Sequence, residues 1–199
     1  RVVDTCDANR SWSVEALRGT DGLRRWTNDD VVPRPDDVFQ ERLYCIRWAK
    51  TVMRNGKPKL ERRYAAPDAA DLAREAKVLT LLHERFADWQ RAGFIPSKAM
   101  PEDGEKTDEP IRTRGWTHWH HLFTPRQLLM HGLVFSLAVE LSGSDAVRAA
   151  FMIGMASSSD WSSKLCRWTP QLARSGGIGA SVQTFYNQAL NTLFTWANR

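Results

Sequence analysis

The sequence predicts an α+β fold, mostly α, in which a basic β-hairpin precedes a helical bundle of about four helices. Two observations lead to this prediction. Asn55-Gly56 separates two runs rich in β-forming residues, and this dipeptide is the strongest short-range signal of a hairpin. After Pro67, apolar residues recur with the period of an α-helix that packs on one side.

The hairpin is predicted from residues 42–48, through Asn55-Gly56, to residues 60–64. The first run reads RLYCIRW and is rich in residues that favour strands. Pro58 cannot donate a backbone hydrogen bond to a sheet, so we expect the return strand to begin at Lys59.

Two long helices are predicted from their ends and their apolar period. The first begins at Pro67-Asp68 and ends before Gly93, since glycine commonly closes a helix. The second begins at Thr124-Pro125, because threonine caps a helix and proline suits its first position. It runs to about Leu141, and the polar residues 96–110 between the two helices predict a loop.

Two further helices complete the bundle. Ser144 or Asp145 caps one that continues to about Ser157. The other is predicted over residues 181–197, after a glycine-rich turn at residues 175–179.

The domain organisation follows from composition. Residues 1–40 combine glycine, proline and clustered aspartate with short apolar runs, which predicts an irregular arm or linker that includes one short strand. Residues 41–199 form the helix-rich domain. With 42% hydrophobic and 26% charged residues, the chain has the composition of a globular protein. Its first residue, Arg1, suggests a piece of a longer polypeptide.

The cysteines and the apolar runs predict a cytoplasmic protein. Cys6, Cys45 and Cys166 are too few and too far apart for a disulfide framework or a zinc ribbon. We therefore expect reduced thiols, with Cys45 and Cys166 buried as small apolar groups. No run approaches the roughly 18 apolar residues that span a bilayer.

Positive charge is concentrated in the hairpin. Of the net +5, the segment from Glu41 to Arg63 contributes +6, with eight cations against two anions. A local excess of this kind is typical of a surface that contacts a polyanion. The cations are Arg42, Arg47, Lys50, Arg54, Lys57, Lys59, Arg62 and Arg63.

Aromatic residues and arginines alternate in a second region. Trp116, Trp119 and Phe123 lie near Arg112, Arg114 and Arg126 in the sequence. Nucleic-acid surfaces combine cations for phosphates with flat rings for bases, and enzymes that flip a base use aromatic wedges. The alternative, in which the rings belong to the core and Arg126 pairs with an acidic neighbour, stays open.

Three histidines, His118, His120 and His121, are close enough in sequence to suggest zinc. Metal sites usually draw ligands from at least two elements, and no carboxylate or cysteine stands at matching spacing, so we favour hydrogen-bonded or solvated rings over a metal site. The turn at residues 175–179 lacks the strand and lysine of a phosphate loop. Cys166 has cationic neighbours but no evident general base. We therefore predict no catalytic residue in this chain.

Several segments in order resemble the middle of the large adenine-specific DNA methylases of restriction and phage-defence loci. They are RLYCIRW at 42–48, RYAAP at 63–67, KTD at 106–108, GWTHW at 115–119, LFTPRQLL at 122–129, SSKLCRW at 162–168, and the last helix with Phe185, Gln188 to Leu190 and Trp196. The resemblance implies methyl transfer from S-adenosylmethionine to the N6 amine of adenine. It also implies a glycine-rich cofactor motif before this region and an Asp-Pro-Pro-Tyr motif after it, and this sequence contains neither.

The predicted function is therefore a DNA-contacting, target-recognition segment of such an enzyme, not catalytic alone and without a cofactor of its own. Its partners would be double-stranded DNA and the rest of the methylase polypeptide. The DNA-contacting residues would be Arg47, Lys50, Arg54, Lys57, Lys59, Arg62, Arg63, Arg112, Arg114, Trp116, Trp119 and Arg126. Two alternatives stay open: a structural insert that packs on the methylase core or a partner protein, and a small metal-dependent enzyme that uses the histidines.

Overall fold

A computed structural model describes residues 23–104, 106–141 and 143–166, together with the backbone of four short strands. These strands form two antiparallel pairs, β1 (Val2–Val3) with β2 (Ser11–Trp12) and β5 (Trp168–Thr169) with β6 (Ala180–Ser181). The predicted turn at residues 175–179 and the predicted last helix beyond Ser181 lie outside the described residues. Ser181 itself is the second residue of β6.

The predicted hairpin is present and longer than expected. β3 (Ile46–Arg54) and β4 (Lys57–Ala65) pair antiparallel over nine residues each. Asn55 and Gly56 both have positive φ, 51° and 74°, as a two-residue type I′ turn requires. A hairpin followed by helices confirms the predicted α+β class.

The strand boundaries differ from the prediction at both ends. The first strand begins at Ile46, four residues after the predicted start, and the second begins at Lys57 and includes Pro58. The pair beside a two-residue turn, Arg54 with Lys57, is the hydrogen-bonded kind, so the next pair, Met53 with Pro58, is not. The nitrogen of Pro58 therefore faces away from the partner strand, and a missing N–H costs the ladder nothing.

The predicted first long helix is divided in two. α1 (Ala69–His83) begins at the N-cap Asp68, which forms a capping box with Asp71. The helix ends where the Arg85 amide bonds to the Leu82 carbonyl at 3.0 Å, and α2 (Phe86–Arg91) follows. Buried side chains continue at helical spacing across the break, so the apolar period does not reveal it.

One helix was not predicted: α3 (Asp108–Arg114) begins inside the predicted loop, and a 3₁₀ turn (Trp119–Leu122) follows it. The two helices after this turn match their predicted limits closely. α4 (Pro125–Leu141) has the predicted ends, while α5 (Asp145–Asp160) continues three residues beyond Ser157. The Thr124 amide bonds to Gln127 Oε1 at 2.8 Å in front of α4.

Cys45 and Cys166 are each half-buried and so less enclosed than predicted. Among the described residues, no helix has both the length and the apolar character needed to cross a membrane.

The core joins the arm to the helices. Trp26 and Val31, which the sequence placed in an arm or linker, are 5% and 3% exposed and belong to the same core as the helices. The Trp26 amide bonds to the Gly115 carbonyl at 2.8 Å. Gly115 has φ 76°, and a Cβ there would lie 2.2 Å from the Arg24 carbonyl oxygen, so only glycine fits this approach. The other core residues are Leu82, Phe86, Trp89, Ile95, Met100, Ile111, Trp116, Leu122, Phe123, Leu128 and Leu129.

A close approach between α4 and α2 yields a test of this packing. A Cβ on Gly132 of α4 would lie 2.1 Å from the Trp89 ring, whereas a Cβ on Gly143 would meet nothing within 4 Å. We expect Gly132→Ala to destabilise the protein by about 1–3 kcal/mol, because the indole must shift in a filled core. Gly143→Ala, the control, should change stability little. Urea unfolding followed by tryptophan fluorescence measures both, and equal midpoints would contradict this packing.

Candidate nucleic-acid interface

The hairpin register divides its side chains between two faces. Residues that pair across the strands point to the same side, and successive residues alternate. One side, which we call the cationic face, carries Ile46, Trp48, Lys50, Val52, Arg54, Lys57, Lys59, Glu61, Arg63 and Ala65. The other, which we call the apolar face, carries Arg47, Ala49, Thr51, Met53, Pro58, Leu60, Arg62 and Tyr64.

The cationic face concentrates the charge of the segment. It holds five cations against the single anion Glu61, a net +4, while the apolar face holds two cations. Glu61 pairs with Arg54 at 2.6 Å. All five cationic residues are exposed to solvent. Of the predicted hairpin contacts, Lys50, Arg54, Lys57, Lys59 and Arg63 are therefore brought together, and Arg47 and Arg62 lie on the opposite side.

Trp48 belongs to the cationic face, although it was not among the predicted contacts. Its side chain is 43% exposed and lies opposite Arg63 in the register. Its place in the sequence does not indicate this exposure, because a tryptophan in a β-forming run is usually assigned to a core. Once the register is known, the alternation of side chains identifies the ring as part of the charged surface.

The apolar face has a different chemistry. Met53, Leu60 and Tyr64 are 67%, 45% and 63% exposed, and they line the side where only Arg47 and Arg62 are charged. The two sides of this ribbon are thus not interchangeable, and a polyanion would bind the cationic face preferentially.

An ion pair between the buried Lys164 side chain and the exposed Glu41 holds the segment that leads into the hairpin. Lys164 Nζ lies 2.8 Å from Glu41 Oε1, and the Lys164 side chain is 7% exposed. The ammonium also lies 5.1 Å from the ring centres of Trp26 and Trp116, which is cation–π distance. Burial lowers the pKa of Lys164, and Glu41 acts against that shift. This contact connects residue 41, just before the hairpin, to the core.

The second predicted group does not form an aromatic surface. Trp116 is 7% exposed in the core, edge-on to Trp26 with ring centres 6.3 Å apart. Phe123 is buried as well, and Trp119 is half-buried against the core. The core alternative that the sequence left open therefore describes these rings, and an exposed base-contacting role for Trp116 is not supported.

The arginines of this group are engaged locally. Arg112 lies 3.5 Å from Asp108 of the same helix, and the Arg114 guanidinium lies 5.1 Å from the Phe39 ring centre. Arg126 forms an ion pair with Glu75 of α1, which is the alternative considered for it from the sequence. All three remain exposed to solvent or partly so, but none is combined with an exposed aromatic ring of the predicted set.

The histidine cluster is built into the core. His121 Nε2 donates to the Thr27 carbonyl at 3.0 Å, and its Nδ1 accepts from the Thr117 amide at 3.0 Å. His120 Nδ1 donates to the Pro96 carbonyl at 3.0 Å, while its buried Nε2 has no hydrogen-bond partner among the described residues. These rings connect the arm, the loop before α3 and the 3₁₀ turn. In the part of the chain that the structure describes, no group of three or more His, Cys, Asp or Glu residues is arranged to hold a metal ion.

The burial of the histidines makes them neutral. Burial lowers the pKa of His120 to about 4 and that of His121 to about 3, and the neighbouring imidazoles add to the shift. Asp30 behaves differently: burial alone would raise its pKa, but hydrogen bonds from Arg24, Thr27 and Arg34 hold it at about 2. Histidine and aspartate therefore affect stability in separate pH ranges.

The two imidazoles predict a loss of stability in mild acid. An unfolded histidine has a pKa of about 6.5, so below that pH the unfolded chain binds protons that folded His120 and His121 do not accept. Stability is fully present above about pH 6.5 and decreases as the pH falls toward 4. We expect roughly 1–2 kcal/mol per ring at pH 5.

Urea unfolding at pH 7.5, 6 and 5 measures this loss. His83→Gln is the control, because it removes an exposed imidazole and leaves His120 and His121 in place. A free energy of unfolding that stays constant over this range would show that the two rings are not buried as neutral groups.

Comparisons with protein-family models, with curated proteins and with solved structures find no match to this chain.

Proposed function

We propose that this chain contacts double-stranded DNA through the cationic face of its hairpin, as the target-recognition segment of an adenine-specific N6 DNA methyltransferase. The observation that carries the DNA contact is the register, which places five exposed cations on one side of a ribbon. The methyltransferase assignment rests on the resemblance of the quoted segments. S-adenosylmethionine would bind the parent enzyme outside this chain.

The dimensions of the hairpin suit a duplex. Nine residues at about 3.4 Å each make a ribbon roughly 30 Å long, close to the roughly 34 Å of one turn of DNA. A two-stranded ribbon fits the major groove, which is about 12 Å wide. Lys57, Lys59 and Arg63 share this face of β4, with Glu61 at the position between the last two, and would follow a phosphate backbone.

The position of Trp48 adds an apolar element to this surface. Its exposed ring beside Arg63 offers a flat contact for sugars or for the methyl group of thymine. Phosphate contacts position a protein on DNA without reading its sequence, whereas contacts to base edges specify it. We infer that the cations provide most of the affinity and that Trp48 is a candidate for discrimination among sequences.

The second candidate function is a structural insert that packs on a protein. The observation in its favour is the exposed apolar face, with Met53, Leu60 and Tyr64. The cationic face has five cations and only one carboxylate of its own, Glu61. A protein partner on that side would therefore have to provide the remaining carboxylates. DNA accounts for the cationic side more directly. The third candidate, a metal-dependent enzyme, has no support from the histidines, whose nitrogens mostly bond to backbone groups.

Neighbouring arginines on opposite faces give a matched test. We expect Arg63→Gln to weaken the binding of a labelled DNA duplex. Fluorescence anisotropy at salt concentrations between roughly 50 and 200 mM measures the affinity. The slope of log K against log salt should become shallower by about 0.9, the effect of one lost phosphate contact. Arg62→Gln removes the same charge from the apolar face and should leave the slope nearly unchanged.

Two outcomes would overturn the proposal. Equal effects of Arg62→Gln and Arg63→Gln would show that charge acts without regard to the face. If the unaltered chain does not bind the duplex at low salt, the proposed DNA contact is wrong. Circular dichroism of each variant establishes that the hairpin and helices remain folded.

A further inference from the structure

The hairpin is attached to the rest of the molecule mainly through the two segments that enter and leave it. Among the described elements, neither β3 nor β4 packs extensively against a helix. The segment that leaves β4 is short, since only Ala66 and Pro67 separate the strand from Asp68, the N-cap of α1. One connection alone leaves a ribbon free to pivot. The direction in which the hairpin projects therefore depends on the segment that enters β3.

The entering segment is longer and less well packed. Residues 42–45 separate Glu41 from Ile46, the first residue of β3. A cavity of about 530 Å³ lies beneath this segment, with Arg42 and Leu43 on one side and Leu72 of α1 on another. Among the described residues, the pair of Glu41 with Lys164 is the last ion pair before the strand. Glu41 is thus the point at which the core holds this connection.

Lys164 is a fixed partner for Glu41. Its amide bonds to the Leu122 carbonyl at 2.7 Å, and its ammonium lies 5.1 Å from the ring centres of both Trp26 and Trp116. The Lys164 side chain is 7% exposed, whereas that of Glu41 is 36% exposed. A buried ammonium that loses its carboxylate partner is costly, so the lysine holds Glu41 at one place on the core.

A cation of the core lies beside this ion pair. Arg114 of α3 lines the same cavity of about 110 Å³ as Glu41 and Trp116, and it is exposed to solvent. Arg114 is also one of the residues that the sequence predicts to contact DNA. A duplex that contacts both Arg114 and the cationic face requires a fixed direction of the hairpin, because these charges belong to different elements.

We propose that the Lys164–Glu41 pair is a latch that fixes the direction of the hairpin relative to the core, and that the chain binds DNA tightly only while this latch is closed. The inference rests on the proposed DNA contact. Glu41 and Lys164 act as positioning residues, since neither lies on the cationic face. When the latch opens, fewer molecules present the hairpin and Arg114 together, and the apparent affinity falls by the same fraction.

Glu41→Gln distinguishes the latch from the effect of charge, because the two predict opposite signs. If charge alone acts, the loss of an anion near the hairpin tightens DNA binding. With the latch, we expect the affinity for a labelled duplex, measured by fluorescence anisotropy, to fall roughly tenfold, as for a correct direction kept one-tenth of the time. Glu61→Gln is the matched control. It removes the same charge from the cationic face, leaves the latch closed and should tighten binding.

Lys164→Met opens the latch from its other side. The thioether suits the space between the two indoles, and Glu41 is exposed enough to be hydrated without its partner. ¹⁵N relaxation of the chain without DNA measures the effect. In both latch variants we expect the order parameters of the hairpin amides to fall from about 0.85 toward 0.6. Those of α1 and α4 should not change, which shows that the core remains folded, and Glu61→Gln should change neither set.

Two results would overturn the latch. One is that Glu41→Gln tightens DNA binding as Glu61→Gln does. The other is that the hairpin order parameters of both latch variants equal those of the unaltered chain. The proposed function fails in a different way, when the unaltered chain does not bind the duplex. The relaxation measurement then decides whether the pair fixes the hairpin, since it requires no DNA.

Discussion

The neutral imidazoles of His120 and His121 are the contacts on which the remaining core depends. They accept and donate hydrogen bonds to backbone groups of the arm, of the loop before α3 and of the turn that contains them. Irregular segments cannot satisfy their backbone groups within a helix or sheet, so side chains must do so where water is excluded. A neutral imidazole offers one donor and one acceptor, and His121 uses both, whereas His120 donates one bond to the Pro96 carbonyl. Charging either ring would require a second donor to be accommodated in this dry interior.

Around this centre, the arm becomes a structural part of the helical domain. Trp26 packs with Trp116 and His121, and Lys164 lies over both indoles while it pairs with Glu41. The chain therefore leaves the core at Glu41, which pairs with the buried Lys164 side chain, and enters the hairpin a few residues later. Removing Glu41 would be costly, because the Lys164 charge would stay buried without this partner. The pair thus anchors the base of the hairpin, while the strands beyond it extend into solvent.

The domain presents two surfaces whose chemistry is opposite. The cationic face is charged, exposed and arranged as a ribbon, and the partner that we propose for it is double-stranded DNA. The exposed surface around Val134 of α4 and Phe151 and Met155 of α5 is neutral and apolar, so water is a poor partner for it.

Local interactions explain how much the sequence alone determined. The hairpin turn at Asn55-Gly56, the helix start at Asp68, the cap at Thr124 and the α+β class depend on neighbours within a few residues, and the sequence predicts them correctly. Of the two caps left open for the next helix, Ser144 and Asp145, the structure shows Ser144. Tertiary packing decided the rest. The break between α1 and α2 keeps the apolar period in phase, and the same pattern of tryptophans and arginines fits a surface or a core. Only the folded chain assigns Trp116 to the interior and separates Arg62 from Arg63, because burial and strand register depend on contacts between residues far apart in sequence.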